Sequence, residues 1–331
     1  MDRVICIAVD VTGSDGFSYE KIVGCINACK SNEDIRIILL GDSDRIRTEM
    51  VAYEDYSDRI RTIAVTEEIS EADAPVQAFR AKRNSALVQG LTLVKDGKAG
   101  AFLSCVSPRL LNAGAQMILG RIERLSSAPM ATLIPCFSKP VLLLDSGSMG
   151  SNIKPSDMVL FARMGSLYMR YLSSAQRPAV GLLSESVVPE NGGMLYRDSY
   201  ELLKRCREIE FAGTVKPEEI NRGKADVVVC DGFSGGLILN LFAGLVKDLA
   251  SVGTIKRKHL FFGKSKEQTE DVQVSSIDLS TRGMTFFPGL SGNVMSICDN
   301  PYRETVQKAV GCAASLVGED IKGRLISFLR L

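Results

Sequence analysis

The stretch KADVVVCDGFSGG, residues 224–236, indicates most clearly how this chain folds. A mainly apolar run, Ala225–Cys230, leads into a turn of aspartate, glycine and serine, and the amphipathic stretch Leu237–Val246 follows. A nearly continuous apolar run is typical of a strand that is covered on both faces of a sheet. The stretch therefore predicts a buried strand, a tight turn and a helix in direct succession.

The same succession recurs along the chain. Further apolar runs predict the strands Val4–Asp10, Ile35–Leu40, Arg61–Val65, Gly100–Ser104, Met130–Pro135, Pro140–Asp145 and Ala179–Leu183. Further amphipathic stretches predict the helices Tyr19–Ala28, Ser85–Lys95, Leu110–Leu125 and Pro155–Leu172. Alternating strands and helices favour an α/β fold with a doubly wound, mostly parallel sheet in α/β/α layers. We expect one two-lobed domain over residues 1–331, with residues 251–287 as an excursion of loop or helix.

The composition is that of an ordinary globular protein, with 45% hydrophobic residues, 24% charged residues and a formal net charge of +1. Because the chain is not strongly basic, nucleic acid is not an expected partner. No apolar run approaches the roughly 18 residues that a membrane span needs, and the N-terminus lacks the features of a signal peptide. We therefore expect a cytoplasmic protein.

The side chains argue against several kinds of catalytic site. His259 is the only histidine, so neither a Ser–His–Asp unit nor a histidine-ligated zinc site is expected. The nine cysteines are scattered singly, and no second pair completes the spacing of Cys25 and Cys29. We predict no metal and no cofactor.

Four of the predicted strands end in turns rich in glycine, serine and aspartate. These turns lie at residues 10–16, 41–43, 145–150 and 231–236. In open α/β sheets ligands bind beyond the carboxyl ends of the strands, where glycines and helix N-termini can approach an anion. The four turns therefore predict one binding cleft along one edge of the sheet, although each could also be a plain tight turn.

A basic cluster, Arg80–Ser85, precedes one of the predicted helices. Its three cations and one hydroxyl could hold a phosphate, the alternative being a solvated helix start. Attack of inorganic phosphate on a thioester needs no histidine, because the nucleophile is already an anion and the acyl donor is already activated. Such an enzyme would have to hold the anion, orient it and stabilise the developing oxyanion.

Several segments, taken in order, are similar to the PlsX family of phosphate acyltransferases from about residue 4 to residue 315. The segments are Ile7–Asp10 with Gly13 and Asp15, Pro75–Ser85, Leu119–Glu123, Leu143–Gly147, Lys154–Ser166, Val180–Leu183, Tyr200–Leu203, Gly223–Gly235 and Gly289–Gly292. Lys224–Gly235 is the most specific of them.

The resemblance implies an enzyme that converts acyl-acyl-carrier-protein and inorganic phosphate into acyl phosphate for phospholipid synthesis. It also implies a homodimer, a fold similar to that of isocitrate and isopropylmalate dehydrogenases, and peripheral membrane association. The basic-apolar stretch Lys256–Phe262 is a candidate for contact with a membrane or an acidic carrier protein, unless it is a solvated loop. Arg80 and Lys82 become catalytic candidates. The candidates for binding substrate or phosphate are Asp10, Gly13, Asp15, Arg83, Ser85, Ser104, Asp145, Gly147, Asp231, Gly232, Ser234 and Gly235.

The chain departs from the family pattern at polar positions of the expected cleft. Residues that differ from the family's polar or loop residues include Gly16, Ser18, Asn191, Gly193, Gly236, Ser296 and Cys298. The family's A-G-N-T-G loop is replaced by Cys105–Arg109. This altered loop adds two catalytic candidates, Arg109 as a compensating cation and Cys105 as an acyl-carrying thiolate, with drift in a relaxed site as the alternative.

Three functions stay open at this point. The first is a divergent phosphate acyltransferase that uses acyl-carrier-protein thioesters. The second is an acyl-phosphate-forming subunit that takes a short acyl group from a partner's thioester, as in glycine-reductase-type complexes. The third is a catalytically silent homologue that binds acyl carrier protein, a partner subunit or a membrane.

Overall fold

The computed structural model describes residues 4–12, 19–122, 125, 128–136, 138–148, 153–173, 175–186, 193–252, 254–257, 270–273, 283–297 and 301–330. None of the helices in these ranges combines the length and the hydrophobicity that a membrane span requires.

Strands and helices alternate over most of the described chain. The strands are β1 Ile5–Asp10, β2 Ile35–Gly41, β3 Ile60–Ala64, β4 Ala101–Ser104, β5 Ala131–Ile134, β6 Val141–Leu144, β7 Ala179–Leu183, β8 Glu210–Val215, β9 Val227–Val229, β10 Thr254–Arg257, β11 Glu270–Gln273, β12 Thr285–Phe286 and β13 Asn293–Ser296. The helices are α1 Tyr19–Ser31, α2 Ser43–Met50, α3 Pro75–Ala81, α4 Ala86–Lys95, α5 Pro108–Ile118, α6 Pro155–Leu172, α7 Met194–Arg205, α8 Pro217–Ile220, α9 Gly232–Val252, α10 Arg303–Gly318 and α11 Ile321–Arg330, with a 3-10 helix at Val51–Tyr56.

The main sheet has eleven strands in the order β3-β2-β1-β4-β13-β12-β5-β6-β9-β7-β8. The central pairings β13–β12, β12–β5 and β5–β6 are antiparallel, and the other pairings in this sheet are parallel. The predicted mostly parallel sheet is therefore confirmed, but its strand direction reverses at the centre. As a result, β1, β2 and β4 end at one edge, whereas β6 and β9 end at the opposite edge. The prediction that the four turns share one edge is wrong for this reason.

Helices cover both faces of the sheet. On one face α1, α6 and α10 contribute to one apolar cluster, and on the other face α4 and α5 cover the half that contains β1. The helix α9 covers the half that contains β9 on this second face. Two glycines allow close packing, since an added Cβ at Gly24 would lie 2.5 Å from the Cβ of Val306, and one at Gly90 would lie 2.1 Å from the Phe102 ring. This layering agrees with the α/β/α prediction.

Individual elements differ from the sequence-based expectation. The helix predicted to reach Leu125 ends at Ile118, because Gly120 turns the chain at φ +77° and Arg121 then pairs with Leu290. The edge strand β8 was not predicted, since its partly exposed sequence lacks a continuous apolar run. Within the expected excursion at 251–287, α9 extends to Val252 and β10 pairs with β11, while residues 253, 258–269 and 274–282 lie outside the described residues.

The helix α9 begins at Gly232, inside the predicted turn at residues 231–236 and five residues before the predicted helix start at Leu237, and Asp231 caps it. Its Oδ1 accepts hydrogen bonds from the backbone N–H groups of Phe233 (2.9 Å) and Ser234 (3.0 Å). Its Oδ2 accepts from the hydroxyls of Ser234 (2.7 Å) and Tyr196 (2.5 Å). These bonds satisfy backbone donors that a helix N-terminus leaves unpaired. Tyr196 thereby ties α7 to the start of α9.

The Tyr196–Asp231 bond predicts a pH-dependent loss of stability in Tyr196→Phe. Burial raises the pKa of Asp231, but the bonds from Tyr196, Ser234 and Phe233 outweigh this and leave the pKa below its ordinary value. An acid with a lowered folded-state pKa stabilises the fold above its unfolded pKa, and this contribution is lost as the pH falls through the folded value. At neutral pH the variant should lose about 1.5–3 kcal/mol of unfolding free energy, because the hydroxyl bonds a charged acceptor.

Urea denaturation of the variant at neutral pH and at successively lower pH would measure this loss. The difference from the unmodified protein should shrink below about pH 4, as Asp231 becomes protonated in both proteins. Tyr200→Phe is the matched control on the same helix, since the Tyr200 ring packs against Phe211 and its hydroxyl has no hydrogen-bond partner among the described residues. A loss in Tyr196→Phe that is no larger than in this control would contradict the assignment.

Candidate active site

A row of five polar side chains crosses the middle of the sheet on the face covered by α5 and α9. The row consists of Asp10 in β1, Ser104 in β4, Ser296 in β13, Thr285 in β12 and Thr132 in β5. Register places Ser296 opposite Ser104, and Thr285 opposite both Ser296 and Thr132. Every member is at most 2% exposed. We call these five residues the polar row.

Hydrogen bonds satisfy the polar row from within the protein. The Ser104 hydroxyl donates to Asp10 Oδ2 (2.8 Å), and the Ser296 hydroxyl donates to the Val106 carbonyl (2.8 Å). The Thr132 hydroxyl lies 2.8 Å from the Thr285 hydroxyl and 2.7 Å from the Ser146 hydroxyl. Ser146 belongs to the turn after β6, so the row links the turns at the two opposite edges of the sheet.

The turn after β6 is organised around Asp145. Its Oδ1 accepts from the backbone N–H groups of Ser148 (3.0 Å), Met130 (3.1 Å) and Gly147 (3.2 Å), and its Oδ2 accepts from the Ser148 hydroxyl. Burial raises the pKa of the Asp145 carboxyl, while these hydrogen bonds oppose the rise. Asp145 therefore acts as the internal acceptor of its own turn.

The turns after β6 and β9 pack directly on each other. An added Cβ at Gly235 would lie 1.8 Å from the Asp145 carbonyl oxygen, and one at Gly232 would lie 2.3 Å from the Ser148 carbonyl oxygen. Gly147 adopts φ +127°, a conformation that favours glycine. The glycines at 232 and 235 thus permit close contact between two backbone turns. The phosphate-binding roles of Asp145, Gly147, Asp231, Gly232, Ser234 and Gly235 stay predictions.

A cavity of about 330 Å³ lies at the edge where β1 and β4 end, and we call it the first cavity. Asp10, Thr12, Ser85 and Ser107 contribute polar groups to its wall. The lining also includes the acidic residues Glu67, Glu68 and Glu71, and no lysine or arginine of the described chain belongs to it. Glu71 Oε1 accepts the N–H of Ser107 (3.2 Å), the residue that caps α5. The described wall of this cavity is therefore acidic.

A second cavity, of about 450 Å³, lies between α9 and the sheet, and we call it the central groove. Its floor contains Thr132, Thr285 and Ser296 of the polar row, and its walls include Leu239 and Phe242 of α9. Among the residues that the structure describes, no charged residue lines it. The two cavities share Val106 and Ser107, so an uncharged apolar space and an acidic polar space meet at one loop.

The cations predicted for the site do not line either cavity. Lys82 forms an ion pair with Asp73 (2.8 Å), and its bond lowers the pKa of that carboxyl. Arg80 and Arg83 are exposed, and Arg83 Nε donates to the Arg80 carbonyl (2.9 Å). Arg109 is exposed in the first turn of α5. None of the four lines the first cavity or the central groove, so their phosphate-binding and catalytic roles stay predictions.

Other predicted site residues do lie at the two cavities. Ser85 caps α4 and donates to the Lys82 carbonyl (2.8 Å) while it lines the first cavity. Cys105 lines the central groove but is only 2% exposed and packs in the apolar cluster that contains Cys25. Its acyl-carrying role stays a prediction. Gly13, Asp15 and Cys298, as well as His259, lie outside the described residues.

Sequence reasoning did not identify Thr132 or Thr285 as site residues, and it included Ser146 only as part of the turn at residues 145–150. Each is a hydroxyl residue inside or directly after an otherwise apolar strand. A single hydroxyl in a buried strand is a signal that could have been noticed, because buried hydroxyl groups need hydrogen-bond partners. Pairing between distant strands, however, decides which of these hydroxyls meet.

The fold agrees with that of solved acyl- and phosphate-handling enzymes at low sequence identity. A phosphotransacetylase from Streptococcus pyogenes matches with a TM-score of 0.60 and 14% identity, covering 96% of both chains. A 4-hydroxythreonine-4-phosphate dehydrogenase from Klebsiella pneumoniae matches with a TM-score of 0.53 and 12% identity, covering 95% of this chain and 98% of the other. These similarities show a fold of the isocitrate dehydrogenase-like type.

Comparison of the sequence with known proteins identifies the family, which similarity of fold alone does not. A phosphate acyltransferase from Clostridium acetobutylicum is 30% identical over 336 aligned positions, covering 96% of this chain and 98% of the relative. One from Clostridium kluyveri is 32% identical over 326 positions, covering 96% of both chains. The family model described as "Fatty acid synthesis protein" matches residues 5–324. The chain therefore belongs to this family, the PlsX family of phosphate acyltransferases to which its motifs are similar.

Proposed function

We propose that this protein transfers an acyl group from an acyl-carrier-protein thioester to inorganic phosphate, which gives acyl phosphate for phospholipid synthesis. The proposal rests on one observation: the first cavity and the central groove are both lined by Val106 and Ser107 and therefore adjoin. The groove offers an uncharged, largely apolar space for the acyl and thioester part of the donor. The first cavity offers hydroxyl groups from Thr12, Ser85 and Ser107 beside that space.

The reaction requires few groups from the protein. A phosphate oxygen attacks the thioester carbonyl carbon, a C–O bond forms, the C–S bond breaks, and the released thiolate takes up a proton from solvent. The protein's contribution is to hold both reactants with the reacting atoms in contact, which can supply a large part of the rate enhancement. Direct attack by phosphate needs no nucleophilic cysteine, and Cys105, which lines the central groove, is only 2% exposed.

The test is to incubate the purified protein with long-chain acyl-carrier-protein thioesters, with and without phosphate, and to trap acyl phosphate with hydroxylamine. We expect phosphate-dependent thiol release with trapped acyl phosphate, and retention of this activity in Cys105→Ser. Activity that is confined to short acyl donors and lost in Cys105→Ser would favour the glycine-reductase-like alternative. A folded protein that turns over none of these donors would contradict both enzymatic hypotheses and favour a binding role.

The central groove predicts how a single side chain sets the donor preference. Leu239→Trp should fill the groove from α9 and raise the KM for a long-chain thioester by about tenfold or more, since pocket shape discriminates chain length on this scale. The KM for phosphate should stay within about twofold, because Leu239 does not line the first cavity. Leu239→Ala, which enlarges the groove at the same position, is the matched comparison. Equal effects of both variants on long and short donors would exclude the groove as the acyl site.

A homodimer is also part of the proposal. The helix α9 exposes an apolar stripe whose members are Phe233 (77% exposed), Leu237 (57%), Leu241 (58%) and Leu245 (50%). Residues spaced four apart share one helix face, and an apolar face of this kind marks an interaction site. We propose a second copy of the chain as the partner at this stripe, because the resemblance to the PlsX family implies a homodimer. Membrane contact through Lys256–Phe262 stays a prediction, because only residues 256 and 257 of that stretch are described.

Static light scattering tests the dimer. The purified chain should have twice the chain mass, and Leu241→Glu should give a monomer because a carboxylate would be buried in an apolar contact. Leu202→Glu, on the partly exposed face of α7, is the matched control and should leave the mass unchanged. A monomeric unmodified chain would contradict this part of the proposal.

A further inference from the structure

Lys21 is a buried lysine in the first turn of α1. It is 2% exposed, and its neighbours Ile22, Val23 and Cys25 all belong to the protein interior. Its Nζ donates to the Thr12 carbonyl oxygen at 3.1 Å. Lysine is almost never fully buried unless it is paired with an acid. The position of this ammonium group therefore calls for an explanation.

The described residues offer Lys21 no counterion. No described carboxylate lies within 4.0 Å of its Nζ, since the ion pairs among the described residues do not include it. The adjacent Glu20 instead binds Arg303, at 2.6 Å and 2.8 Å. A buried charge without a partner costs folding free energy. Such unfavourable features are expected mainly at functional sites, where the function compensates for the cost.

Thr12 connects Lys21 to the first cavity. The Thr12 N–H and hydroxyl both donate to Asp10 Oδ1, at 2.9 Å and 2.5 Å, while its carbonyl accepts from Lys21. Thr12 and Asp10 both line the first cavity, whose wall is otherwise acidic. Lys82 also reaches a lining residue through the Glu68 carbonyl, but Asp73 balances its charge. Lys21 is therefore a buried cation without an ion pair among the described residues, and a hydrogen bond joins it to a residue that lines this cavity.

We propose that Lys21 is a positioning residue for phosphate in the first cavity. Its ammonium holds the main chain at Thr12 and supplies positive potential behind the acidic wall, so that a phosphate dianion can bind beside Thr12 and Ser85. This inference rests on the proposed function for the identity of the anion. It assigns to Lys21 the role that the sequence had given to Arg80, Lys82 and Arg83.

Lys21→Met tests the proposal, because methionine keeps the length and the apolar stem of lysine and removes the charge. The melting temperature of the unmodified protein should rise with added inorganic phosphate at constant ionic strength. In Lys21→Met the unliganded melting temperature should be equal or higher, and the affinity for phosphate should fall by about tenfold or more. Lys21→Arg should recover part of the affinity. Lys30→Met, at an exposed position of the same helix, is the matched control and should behave like the unmodified protein.

The acyl-transfer assay separates this proposal from the proposed function. If acyl phosphate forms, Lys21→Met should raise the KM for phosphate by about tenfold and leave the KM for the thioester within about twofold. Phosphate protection that depends on Lys21, without turnover of any donor, would support Lys21 and overturn the acyltransferase. Turnover with an unchanged phosphate KM in Lys21→Met would support the acyltransferase and overturn the role of Lys21. The absence of phosphate protection in the unmodified protein, or equal losses in Lys21→Met and Lys30→Met, would overturn the role of Lys21.

Discussion

The hydrogen bonding of the polar row is the constraint on which the centre of the molecule depends. Five polar side chains lie in register on adjacent strands, and each is excluded from water. A shift of any of these strands by one residue would turn its polar side chain into the apolar cluster on the opposite face, where no partner is available. The row therefore fixes how β1, β4, β13, β12 and β5 align. It also makes the floor of the central groove polar without making it charged.

The reversal of strand direction gives the two ends of the row different roles. At the end near Thr132, the Ser146 hydroxyl joins the row to a turn that is closely packed and internally satisfied around Asp145. At the other end, Asp10 faces an open cavity with Thr12 and Ser104 as its partners. Close packing at Gly232 and Gly235 fills the space between the turns after β6 and β9. The glycine-rich turns therefore lie in different surroundings, although their sequences are similar.

Charge is distributed unevenly around the Asp10 end of the row. Carboxylates of Asp10, Glu67, Glu68 and Glu71 line the first cavity, and several of them already accept hydrogen bonds from the protein. The basic cluster that the sequence suggested as an anion site does not line the cavity. Asp73 forms an ion pair with Lys82, and Arg80 and Arg83 are exposed. Under the proposed function, a phosphate bound in this cavity would depend on buried sources of positive potential, which family membership alone does not identify.

The sequence by itself determined the alternation of strands and helices, the turn and helix after β9, and the family, because these follow from local apolar periodicity and from the order of motifs. It also located Ser85 at a helix start, since capping is a local property, but it placed Asp231 in a turn and not at the start of α9. Only the tertiary structure decided that the turns after β6 and β9 lie at the opposite edge from those after β1 and β4. It likewise decided that Ser104, Ser296, Thr285 and Thr132 form one row and that Lys21 reaches Thr12. The physical reason is that strand pairing joins residues far apart in the chain, and that the direction of a buried side chain such as Lys21 depends on the packing around it, so no local pattern records which residues will meet.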